Sequence, residues 1–195
     1  MSSPATEISI QLPAWLDSHL PEEGRVYADK TARMQFVLGL AHQNIEHQTG
    51  GPFAAAIFNM ENHTLLAAGV NLVVPSTCSM AHAEMVAISI AQKKLATFDL
   101  GAAGLPRFEL VTSTEPCAMC FGALPWSGIR HLVCGARDAD ARAIGFDEGP
   151  KMSDWQQALQ QRNISVETDI CRDEAVEVLQ RYAAQHGEIY NARQG

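Results

Sequence analysis

Downstream of residue 28 the chain alternates two spacings of apolar residues, one suited to helices and the other to strands. Met34, Val37, Leu38, Ala41 and Ile45 fall at i, i+3, i+4, i+7 and i+11, one face of a helix. Asp29 precedes them with a side chain able to accept the orphan amides of a first turn. Thr49-Gly50-Gly51-Pro52 ends that helix. Phe53–Phe58 and Thr64–Val70 are apolar runs of strand length around Asn59–His63, and they predict a hairpin. The pattern then predicts a helix from His82 to about Ala96, a strand over Phe108–Thr112 and a turn at Ser113-Thr114-Glu115-Pro116. A helix from Cys117 to about Trp126 follows, opened by a proline whose missing N–H costs nothing there. His131–Gly135 reads as a strand, Ala139–Ile144 as a short helical piece and Gly145–Pro150 as a loop. A helix near Ser153–Gln161, a strand near Ile164–Thr168 and a helix from Asp173 to about Ala184 complete the pass.

This alternation argues for a layered α/β domain in which helices cover a mixed sheet. Residues 1–28 hold Pro4, Pro13, Pro21 and Gly24, and read as an irregular N-terminal extension with a short helix near Ala14–Leu20. At 195 residues the length suits one domain spanning residues 1–195, with residues 172–195 as its C-terminal helix and tail. No run of eighteen uncharged apolar residues exists, so no membrane span is expected. Met1 to Gln11 lacks a basic start followed by an apolar block, so no secretory signal is expected either. Five cysteines, two of them in a C-x-x-C, fit a reducing compartment and metal binding better than a disulfide framework. The expected location is the cytoplasm. The net charge of −8, with lysine only at 30, 93, 94 and 151, counts against a polynucleotide or other nucleic-acid partner.

Chemistry concentrates in two short stretches, His82-Ala83-Glu84 and Pro116-Cys117-Ala118-Met119-Cys120. One imidazole and two thiolates are the three soft ligands of a catalytic zinc, whose fourth position stays open for water. The order H-x-E then P-C-x-x-C is the signature of zinc deaminases. Both thiols would sit at a helix start, where the dipole favours thiolates. Glu84, two residues beyond His82, lies too far around its helix to be a co-ligand and is free to move protons. The alternative is a closed structural site with Cys78, four residues before His82, as fourth ligand; such a site has no use for Glu84. Cys134 reads as a buried strand residue and Cys171 as a packing residue.

These motifs resemble the cytidine-deaminase-like superfamily from about Gly50 to Pro150. Gly51-Pro52-Phe53 and Gly69-Val70-Asn71 match in register, as do His82-Ala83-Glu84 and Glu115-Pro116-Cys117-Ala118-Met119-Cys120. The resemblance implies a three-layer α/β/α fold with a mixed five-stranded sheet. It also implies one Zn2+ per chain held by His82, Cys117 and Cys120, a proton shuttle at Glu84, and a base held by Asn71 with Ala83 beside it. Trp126 in the second motif's helix, followed by Ile144-Gly145-Phe146-Asp147-Glu148, is similar to the bacterial guanine deaminases. That similarity implies guanine as substrate, with related amino-heterocycles such as amino-triazines also open. Guanine's amine and ring N–H groups are donors, and the Glu148 carboxylate would accept them and, as a second catalytic acid, pass a proton to the departing ammonia; related enzymes often carry the shorter aspartate there. Phe53 and Trp126 are candidates to sandwich the flat base. Such enzymes are homodimers whose C-terminal segment can cross to the partner's site, which makes Tyr190 a candidate lid residue. Adenosine deamination in tRNA, cytosine or nucleoside deamination, and a non-catalytic zinc module are the rival readings.

Overall fold

A computed structural model of the chain describes residues 8–191. The first seven residues of the expected N-terminal extension and the last four of the expected tail lie outside the described residues. The elements are α1 (Trp15–His19), α2 (Lys30–Glu46), β1 (Ala54–Asn59), β2 (Leu65–Val70), α3 (Ala83–Lys94) and β3 (Phe108–Thr114). They continue with α4 (Ala118–Ser127), β4 (His131–Ala136), α5 (Asp138–Ala143), α6 (Trp155–Gln160), β5 (Ser165–Glu167) and α7 (Arg172–Ala184). The strands form one five-stranded sheet in the order β2-β1-β3-β4-β5. β1 runs antiparallel to β2 and β3, whereas β3, β4 and β5 are parallel, so the sheet is mixed as expected.

Side-chain alternation along β1 divides the interior in two. Ala54, Ala56 and Phe58 face a core built with α2 and α7, while Ala55 and Ile57 face one built with α3, α4 and α6. Helices therefore cover both faces, giving three layers. Asp29 accepts a hydrogen bond from Ala32 N at 2.8 Å and starts α2 where the sequence predicts. The face Met34, Val37, Leu38, Ala41 and Ile45 is buried throughout. Phe58 is fully buried, and its replacement by alanine would cost about 3–5 kcal/mol.

On the other face α3 rides unusually close to the sheet. A Cβ on Gly69 would lie 2.6 Å from both Ala83 O and Ala87 N, so β2 carries glycine at this crossing. The close approach fixes the first turn of α3 against β2.

One expected boundary moves. Ser113 and Thr114 belong to β3 and not to a turn: Thr114 pairs with Ala136, and Ser113 Oγ accepts from Ala54 N at 3.2 Å. A neighbouring parallel strand offers ladder bonds that outweigh the local turn preference of Ser-Thr. The pairings Ala54 with Val70, Ala55 with Thr112 and Thr114 with Ala136 bring four strand ends to one edge of the sheet. Phe53, Asn71 and Glu115 thus emerge side by side, at the carboxyl ends of the parallel strands where open α/β sheets place their sites. Among the described residues, no helix is long and apolar enough to cross a membrane.

Candidate active site

Two helix starts converge at that edge. His82 is the N-cap of α3 and Cys117 the N-cap of α4, both with extended backbone, and Cys120 lies in the first turn of α4. His82 Nδ1 is 3.5 Å from Cys117 Sγ and 3.7 Å from Cys120 Sγ, and the three ligand atoms all lie within 4.8 Å of one another. A tetrahedral zinc with Zn–N of about 2.0 Å and Zn–S of about 2.3 Å holds its nitrogen and sulfur ligands about 3.5 Å apart. The observed spacing fits that ion. The neighbouring Cys120 thiol takes Cys117 down to about 4, while Cys117 and burial push Cys120 well above the usual thiol range. Burial pulls the His82 imidazole down, but its bond to Cys117 and the nearby Glu84 carboxylate outweigh this and leave it raised. Soft donors crowded with negative groups are what a divalent cation relieves.

Cys78 does not join this set. It is half-buried and packs against the α2 side of the molecule, which removes the fourth ligand of the closed-site alternative. Cys134 is fully buried in β4, and Cys171 packs beside the α2–α7 core.

The cleft beside the ligand set has a volume of about 210 Å³. That is below the roughly 300–1,000 Å³ of pockets for drug-sized molecules, and suits a bare heterocycle. Glu84 and Glu148 both line it, each only 7% exposed. Burial raises Glu84, with the Cys117 sulfur adding to the effect. Burial, then Cys117 and Glu84, pushes Glu148 up to about 8. Glu148 sits in the 145–150 loop, whose path is tied to the start of α4 by Ala118 N donating to Glu148 O at 2.9 Å.

Asn71 is fully buried at the cleft wall. Its Oδ1 accepts from Gly51 N and Val73 N, both at 3.3 Å, and its Nδ2 donates to Tyr190 Oη at 2.7 Å. Tyr190 therefore reaches the cleft of its own chain. Its seat is made by Gly51, where a Cβ would come within 2.9 Å of the tyrosine ring, and by Phe146 at 5.1 Å between ring centres. Asn191 fastens the same segment by accepting from Asp147 N at 2.9 Å and donating to Gly145 O at 2.8 Å.

Two residues expected at the base do not line the cleft of this chain. Trp126 is 82% exposed and lies outside the cleft, about 120° around α4 from Cys120. Core packing does not describe it. Ala83 is fully buried in the core beneath β2, and its side chain does not line the cleft. Phe53 does line it, but the ring beside it is Phe146, 4.9 Å away edge-on. Phe146 was visible in the sequence only as part of the Gly-Phe-Asp run. Asn191 carried no signal at all, because its partners lie more than forty residues away.

A sequence model described as the cytidine and deoxycytidylate deaminase zinc-binding region matches residues 28–136, more than half the chain. The chain belongs to that deaminase family. Guanine deaminase from Bacillus subtilis is 38% identical over 109 residues, which span 56% of this chain and 65% of that one, just under two thirds. A solved structure of guanine deaminase from Nitrosomonas europaea superposes with a TM-score of 0.86 at 51% identity, covering 94% of this chain and 99% of the other. The protein NE0047, solved in complex with 2,6-diaminopurine, superposes with a TM-score of 0.89 at 53% identity, covering 96% and 98%. The deaminase family and its zinc-binding region thus account for the three-ligand set and the five-stranded layered fold together.

Proposed function

We propose that the protein is a zinc-dependent guanine deaminase, which converts guanine and water to xanthine and ammonia. The observation that carries this reading is the pairing of two buried acids with a three-ligand metal set around a cleft sized for one base. His82, Cys117 and Cys120 would hold the ion. When bound, zinc lowers the pKa of its water to about 7 and so supplies a nucleophile at neutral pH. Glu84 takes the proton that the attacking water loses and returns it to the ring nitrogen beside the amine. Glu148 accepts from the donor edge of the base, and its raised proton affinity suits it to take the second proton, that of the added hydroxyl, and pass it to the departing amine, which leaves as ammonia. Asn71 Nδ2 is the donor for the carbonyl and imidazole side, which requires Tyr190 to yield that bond when the base enters. Phe53 and Phe146 supply the flat apolar wall, and Tyr190 with the tail closes over it.

The rival reading, adenosine deamination in tRNA, needs a basic track beside the cleft. The net charge of −8 and the burial of Lys151 argue against it. The screen that tests the proposal measures ammonia release by zinc-loaded protein from guanine, adenine, cytosine, their nucleosides and amino-triazines. Turnover of another base with none of guanine would overturn the substrate and leave the deaminase class standing.

The exposed face of α4, with Met119, Gly122 and Trp126 in line at i, i+3 and i+7, is apolar, and the helix carries no charged residue. A second copy of the chain is the occupant we propose for it, which makes the protein a homodimer. Met119→Glu with Trp126→Glu should then halve the mass seen by sedimentation. The seating of Tyr190 in its own chain's cleft favours a tail that does not cross to the partner. We further take the chain as one domain, since both cores share the same sheet, and its unpaired cysteines favour the cytoplasm.

A further inference from the structure

Behind the cleft a lysine is buried with its charge satisfied. Lys151 directly follows the loop that carries Glu148, and its side chain is 6% exposed. Its Nζ donates to Pro116 O at 3.0 Å and to Glu115 Oε2 at 3.4 Å, lies 4.0 Å from Asp138 Oδ1 and sits 4.8 Å from the centre of the Trp155 ring. Taking an ammonium out of water costs several kcal/mol unless its donors find partners. An apolar side chain could fill the same space without that cost, so the ammonium needs a reason to be there.

Its partners suggest one. Pro116 and Glu115 form the turn immediately before Cys117, the first thiolate of the ligand set. Glu115 Oε2 also accepts from Asp138 N at 3.1 Å, which joins that turn to the start of α5. Asp138 pairs with Arg142 at 2.9 Å, and Arg142 Nη2 donates to Gly149 O at 2.8 Å. Glu148 is therefore flanked by fastenings: its own carbonyl to Ala118 N, Gly149 to Arg142, and residue 151 to the Glu115-Pro116 turn.

We propose that Lys151 is a positioning residue: it locks the 145–150 loop to the turn before Cys117, so that the Glu148 carboxyl keeps a fixed distance from the ligand set. The inference rests on the reading of Glu148 as the acid that grips the base. It touches neither substrate nor metal, and acts only through the loop. Misplacing a reacting group by about 1 Å can cost about 10²-fold in rate.

Lys151→Met keeps the length and the apolar stem and removes the donors. Its kcat on guanine should fall about 10–100-fold, with zinc content unchanged, while Lys151→Arg recovers most of the loss. In a Glu148→Ala background the same Lys151→Met change should cost less than about twofold more, because the two act as one unit. Hydrogen exchange supplies a readout independent of turnover: the Ala118 amide, bonded to Glu148 O, should lose protection in Lys151→Met. Full activity and full Ala118 protection in Lys151→Met would overturn the proposal. So would an equal loss in both backgrounds, or a loss that follows zinc release. If the wild-type protein leaves guanine untouched, the substrate reading fails on that control, while the exchange result and the base that is turned over still decide the role of Lys151.

Discussion

The wall of the cleft that holds the metal ligands and the wall that faces it are assembled over different distances along the chain. His82 and Glu84 share the first turn of α3, and Cys117 and Cys120 the first turn of α4. Each pair is local, and only two helix starts must be brought together. On the facing wall Asn71 meets Tyr190 from 119 residues away and Asp147 meets Asn191 from 44 away, while behind the cleft Lys151 meets Pro116 from 35 away. The first wall sets the reaction, hydrolytic loss of an amine. In the proposed function the second wall selects the base.

Damage to the first wall should have the largest effects. Cys117→Ala should abolish both zinc retention and turnover and lower Tm, because metal binding is coupled to folding; metal analysis and calorimetry on one sample check it. Retained stoichiometric zinc would mean that the ligand set is wrong. Glu84→Gln should keep zinc and fold and reduce kcat by about 10²–10⁴-fold, the range of a lost general acid–base group. Activity surviving that change would remove the shuttle.

Damage to the facing wall should be milder and leave the metal in place. A Cβ on Gly187 would sit 2.3 Å from the Tyr182 ring, so Gly187→Ala should unseat the tail that carries Tyr190. The expected result is a KM for guanine raised roughly tenfold, equivalent to about 1.4 kcal/mol, at unchanged zinc content; an unchanged KM would detach the tail from base binding. The smallest effect should come from a control outside both walls. Arg172 bonds Asp140 at 2.8 Å, and this bond holds the Asp140 carboxyl below its ordinary range. Its stabilising effect is complete above the unfolded aspartate pKa of about 3.9 and is lost as pH falls through the lower folded value. Arg172→Ala should therefore reduce the urea midpoint slightly at pH 7, and the gap from wild type should close below pH 4. Kinetics on guanine should not change.

Legibility in the sequence follows the same division. The boundaries of α2, the β1–β2 hairpin and the two motif helices were readable because capping and apolar period are local. The ligand set was readable because its members are one turn apart. The end of β3 was not, since Ser113 and Thr114 take their conformation from β4. The exposure of Trp126 was hidden for a related reason. Its distance in sequence from Cys120 is short, but its direction on α4 points away from the cleft, and the helix's apolar composition concealed which face is open.

By itself the sequence determined a layered α/β fold and a zinc-deaminase chemistry, because helix periods, caps and ligand spacings act over a few residues and depend little on the rest of the chain. Only the tertiary structure decided that Tyr190 seats on Asn71, that Phe146 stands beside Phe53, and that a buried lysine secures the loop bearing Glu148. Those contacts join residues whose separation along the chain leaves no periodic trace, and they exist only once the strand ends have been gathered at one edge of the sheet.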